Sequence, residues 1–140
     1  MSRGLKYTFF THMLVALAFG LLFLISPDLY ARIANYAPTD PIITRGMGVA
    51  VLGLAFSSWL AFRAAQWEEV RIVLEMEVFY TVLMTATLTL IMVFTPAPLF
   101  TVVPLAVHLL FAIAFVYYFI TAPHAAGQQQ GPTLGMPSPR

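Results

Sequence analysis

Five residues of this chain, His12, Glu77, His108, Tyr117 and Tyr118, carry chemistry that their apolar surroundings do not call for. An ionisable side chain at membrane depth is a functional suspect by default, because burying it is costly. His12 and Glu77 each fall about three residues inside an apolar run and Tyr117 and Tyr118 lie at similar depth in another, a shared level about 5 Å below one membrane face. Arg63 and Arg71 fall close above. A histidine and a carboxylate brought together there can carry a proton or bind a polar headgroup. The ordinary reading, and the favoured one, is that each side chain separately snorkels to the interface.

A buried histidine on each of two helices is also the pattern of axial haem ligation. His108 lies about thirteen residues from the end of its run and His12 about three, a height difference of about 15 Å, so one iron could not join them. A single histidine can ligate a chlorin-type pigment or a five-coordinate haem, but more often it hydrogen-bonds a neighbouring helix. Near the opposite face, Arg45 can form an ion-pair cluster with Asp28 and Asp40, or hold a lipid phosphate, whose geometry a guanidinium matches. Glu75 and Glu77 point to different sides of a helix and make no paired-carboxylate site. No Walker loop, GxGxxG, HExxH or GxSxG is present, and there is no cysteine for a disulfide, thiolate site or nucleophile. The sequence thus names no catalytic residue and no metal site, requires no cofactor, and leans away from an enzyme.

These groups sit in a chain of 140 residues that is 60% hydrophobic and 9% charged, with mean hydropathy +0.84. A soluble domain is usually about 25% charged, so the chain belongs in a bilayer. Net charge +1 and scattered basic residues exclude a nucleic-acid surface. The class that follows is an all-α polytopic membrane protein, a four-transmembrane-helix bundle over residues 1–121 with a short interfacial helix after the first span, and a disordered tail over 122–140.

The spans are about 9–25, 41–65, 74–94 and 99–121. Ser26 caps the interfacial segment LYARIANY, with Pro27 at its first position and Leu29, Ile33 and Tyr36 on one face. Asp40-Pro41 repeats that signal before the second span. On that span Gly46, Ala50, Gly53, Ser57 and Ala61 share a smooth side, which lets backbones approach closely in lipid. This places the second span at the centre of the bundle, in a tight hairpin with the third. Glu77, Thr81, Thr85 and Thr89 form a stripe whose hydroxyls are expected to bond their own helix or a neighbour. Pro104 either begins the regular part of span four or kinks it. LLFLISPDLY after the first span echoes LIMVFTPAPLF after the third, a faint sign of two related hairpins. Arg3, Lys6, Arg63, Arg71 and Arg140 against Arg32 and Arg45 put both termini in the cytoplasm by the positive-inside rule.

The succession SPDLYARI, DPIITRGMGVAVLGLAFSSWLAFRAA and two further apolar helices resembles the small four-helix bacterial membrane proteins grouped as DoxX-like. The resemblance implies an architecture and a bacterial inner-membrane location, and some members are linked to redox or membrane-protein maturation. Small multidrug transporters are similar in length, but that family uses a glutamate in the first helix, where this chain has His12. Two readings stand. One is a non-catalytic accessory subunit that packs against other integral membrane proteins and membrane lipids. The other is a small carrier or maturation protein binding a lipophilic ligand, a quinone or a lipid, near His12 and Glu77.

Overall fold

The computed structural model describes residues 2–37 and 40–129, which form five α-helices and, among the described residues, no strand. α1 (Arg3–Ile25), α3 (Pro41–Arg63) and α4 (Trp67–Phe94) are long and apolar enough to cross a membrane, as is the Leu99–Thr121 stretch containing most of α5 (Val102–Gln129). The chain is therefore an all-α integral membrane protein with four spans. Large apolar side chains such as Phe79, Phe94 and Leu110 face outward, as lipid allows.

Local chemistry sets the helix ends. Ser2 accepts the Leu5 N–H at 3.2 Å, so α1 starts at Arg3, well before the expected Phe9. Asp40 caps α3 by accepting from the Ile42 and Ile43 amides at 2.7 and 3.3 Å. Glu69 accepts from the amides of Ala65 and Gln66, closing a capping box on α4. α2 (Pro27–Ala34) has Pro27 in its first turn, but the Ser26 side chain makes no cap bond. Asn35, with φ 55°, ends α2 in the left-handed conformation that asparagine tolerates. Pro104 falls in the first turn of α5, where its missing N–H leaves no carbonyl unpaired, so it begins the helix. α5 runs on past Thr121 to Gln129, because extending a formed helix needs no new nucleus. The rest of the expected tail, 130–140, lies outside the described residues.

The four spans alternate in direction, and the closest pairs are α1 with α3 and α4 with α5. This corrects the expected tight hairpin of spans two and three: α3 and α4 share a short connection but touch little beyond it. The reason is steric. Gly20 and Gly48 meet where α1 and α3 cross, and a Cβ on Gly48 would lie 2.7 Å from Leu24 N and 3.0 Å from the Gly20 carbonyl oxygen. Gly46 and Gly53, by contrast, have nothing within 4 Å of an added Cβ, and Ala50 is exposed as well. Most of the smooth side thus faces out of the bundle, while Ala61 joins the core. LLFLISPDLY lies on the connection within the first tight pair and LIMVFTPAPLF on that within the second.

The core lies toward the end that carries the N-terminus. Leu5, Phe9, Ala61, Val70, Leu74 and Phe115 form one buried cluster there. Toward the α2 end, α3 and α4 splay. On the α4-facing side of α3, Ser58 is fully buried, Met47 is 53% exposed and Ile43 is 64% exposed. On α4, every buried residue lies between Val70 and Thr81.

Candidate functional site: a polar network beneath an intramembrane cavity

Three helices bring three polar side chains together. His12 of α1 is buried, with Nδ1 2.8 Å from Ser58 Oγ on α3. Ser58 donates its hydroxyl to Glu77 Oε1 on α4 at 3.0 Å; with that oxygen as acceptor, the proton shared with His12 comes from Nδ1–H. His12 Nδ1 and Glu77 Oε1 are 3.6 Å apart. Ser57 donates to the Leu54 carbonyl at 2.9 Å and lies 3.4 Å from the same Glu77 oxygen. Glu77 is fully buried, and its Oε2 has no hydrogen-bond partner among the described residues. Beyond Glu77 along α4 the stripe behaves as expected: Thr81, Thr85 and Thr89 each donate to the carbonyl four residues back, at 2.6, 2.7 and 2.7 Å.

The rings of Phe111 and Phe115 pack edge-on against His12, with centroids 4.7 and 5.4 Å away. That register corrects the separation expected for the two histidines. His12 lies level with the turn from Phe111 to Phe115, so His108 is roughly 5–8 Å higher, not 15 Å. The difference arises because α1 begins at Arg3 and not at Phe9, which sets His12 deeper in its helix.

Both histidines line one cavity of about 190 Å³ bounded by residues of all four spans and of the α2 segment. His12 and Phe111 form its floor, Tyr80 and His108 stand on its wall, and Tyr30 and Tyr36 meet at its far end. It follows α1 from His12 to Phe23, three turns or about 16 Å. Met47, Val51 and Leu54 of α3 face Met84 and Leu88 of α4 across it, along the seam where those helices splay. His108 Nδ1 is 2.7 Å from the Pro104 carbonyl, which only accepts, so Nδ1 carries the proton there too. The far end is tied down by a hydrogen bond between the Tyr36 and Thr101 hydroxyls at 2.8 Å. The Tyr30 ring packs edge-on against Phe23 at 4.5 Å and near Tyr36. Its phenol is pushed up to about 12, chiefly by burial and then by Tyr36 beside it.

Of the residues picked from sequence, the fold unites His12 and Glu77 and places His108 on the same cavity. Tyr117 does not join them; it is 59% exposed and packs against Tyr118. Arg45 is exposed, and among the described residues no ion pair joins it to Asp28 or Asp40, whose carboxylate is occupied as a cap. Arg63 lies over the Trp59 ring at 4.8 Å, and Arg71 pairs with Glu75 at 2.8 Å on the surface. Sequence reasoning missed Ser58 and Tyr80. Ser58 stands beside Ser57, and only the rotation of α3 decides which hydroxyl reaches inward.

Fold and site together define a four-span membrane protein with a polar network under an intramembrane cavity. No family model matches the chain, and neither does any curated protein or solved structure.

Proposed function

We propose that this protein is a small carrier that binds one lipophilic molecule, a quinone or a lipid with a compact head, inside its bundle. The observation that carries the reading is the apolar cavity between the spans with His12, Tyr80 and His108 on its walls. Ligand sites are mostly apolar concavities with a few placed polar groups, which is what these helices enclose. A cavity of about 150 Å³ lined by apolar side chains holds one benzene, so a volume of about 190 Å³ suits a single six-membered ring with substituents. The splayed α3–α4 seam gives such a molecule a lateral route from the bilayer and leaves room for an alkyl tail. The DoxX-like resemblance agrees with this reading, since some of those proteins are linked to redox or membrane-protein maturation.

Purified protein extracted in mild detergent, followed by solvent extraction and mass spectrometry, tests the proposal. A lipophilic compound should co-purify near one per chain. Leu54→Trp, which fills the cavity from α3, should lose it while the protein's amount in the membrane is unchanged. A wild-type extract no different from the Leu54→Trp extract would sink the proposal.

One observation favours a second reading, an accessory subunit of a larger membrane complex. Gly46, Ala50 and Gly53 turn their smooth side out of the bundle, where another transmembrane helix can pack. Under this reading Gly53→Leu lowers the size of the native complex on a gel; under the carrier reading alone it leaves that size unchanged.

A further inference from the structure

The cavity's polar atoms prescribe the chemistry of the head it takes. His12 commits its Nδ1 proton to Ser58, and His108 commits its own to the Pro104 carbonyl. In a neutral imidazole with the proton on Nδ1, Nε2 is a bare lone pair, an acceptor and not a donor. Neither Nε2 has a hydrogen-bond partner among the described residues, and both rings line the cavity. Tyr80 adds one hydroxyl on the same wall. Around the two histidines the site therefore offers two acceptors and one group able to donate, the Tyr80 hydroxyl, while the Tyr30 and Tyr36 hydroxyls lie at the far end, where Tyr36 is paired with Thr101. Among the described residues no lysine or arginine lines the cavity, so none of them neutralises a phosphate or carboxylate head. Phe19, Phe23 and Phe111 supply aromatic walls for a flat ring.

Resting on the carrier reading, we infer that the ligand is a lipophilic phenol or hydroquinone whose ring hydroxyls donate to the Nε2 atoms of His12 and His108. A head that only accepts, such as a benzoquinone or an aryl ether, leaves both buried acceptors unpaired. Sites built around buried hydrogen-bonding groups discriminate strongly against analogues lacking the matching partner.

The test uses three probes of nearly equal size: 2-pentylhydroquinone, its dimethyl ether and the matching benzoquinone. Each is titrated calorimetrically into wild-type protein in lipid nanodiscs, with empty nanodiscs as the baseline. The hydroquinone should bind at least tenfold more tightly than either of the others. In His108→Phe, which keeps a ring of similar bulk, that preference should shrink to about threefold while the quinone and ether bind as before. Equal affinity for all three probes, or a tighter quinone, overturns the donor assignment and leaves the carrier reading standing. Saturable binding of none of them overturns both.

Discussion

Replacing Gly48 by alanine puts a methyl group where α1 and α3 cross. Its Cβ would stand 2.7 Å from Leu24 N and 3.1 Å from Leu24 Cα, against an ordinary contact of 3.4 Å or more. These are backbone atoms of a helix and cannot swing aside, so the helices must part by about 0.7 Å at the crossing. A radial gap of about 0.5–1 Å forfeits about a quarter to a half of a van der Waals well worth about 0.1–0.2 kcal/mol per atom pair. With on the order of 30 pairs loosened along the crossing, the loss is about 1–3 kcal/mol, roughly a 5- to 150-fold shift in the unfolding equilibrium. Little returns through the better helix propensity of alanine, because spans unfolded in detergent stay helical. Gly53→Ala is the control: its Cβ meets nothing within 4 Å and should leave stability unchanged or slightly raised. The assay is SDS titration of the purified protein in mixed micelles, followed by the fluorescence of Trp59 and Trp67. A Gly48→Ala midpoint equal to wild type, or an equal loss in Gly53→Ala, would refute the assignment of the α1–α3 crossing as the closest packing in the bundle.

Ser58→Ala removes the bridge between His12 and Glu77 and leaves two buried polar groups short of a partner, so it should cost about 1–3 kcal/mol in the same titration. Ser57→Ala, whose hydroxyl also bonds its own helix, should cost less than Ser58→Ala. Tyr30 should ionise near pH 12 in an absorbance titration, and Tyr30→Phe should erase that step. Its folded value lies above that of an unfolded phenol, so the unfolded chain gives up the proton first; stability is full below about pH 10 and falls as pH rises through 12. Tyr36→Phe cuts the tie to Thr101 and should speed amide exchange over residues 27–37, measured by mass spectrometry, without changing it in the helix segment around Leu74. Arg71→Ala breaks an exposed pair and should move the SDS midpoint by no more than about 0.5 kcal/mol.

Hydropathy and end signals carried the four spans, the short helix at Pro27 and the cap at Asp40, because each depends on a few neighbouring residues. The same local logic placed the threonine bonds of α4 correctly. Where the reading depended on helix rotation it failed. Small residues occupy two sides of α3, one through Gly46 and Gly53 and one through Gly48, and composition alone does not say which side meets α1. That choice needs Gly20 on the facing helix, whose role appears only once the two are docked.

The site divides along the same line. Sequence by itself determined that His12 and Glu77 were costly residues at comparable depth, because the price of burying an ionisable group is a property of residue type and span. Only the tertiary structure decided that Ser58 would link them, that the helix register would set His108 on the same cavity, and that Tyr117 and Arg45 would face away. In lipid no hydrophobic force tells a helix which apolar face to turn inward. Rotation and register are fixed by backbone approach at a few small residues and by hydrogen bonds between spans, pairwise facts that belong to no single stretch of chain.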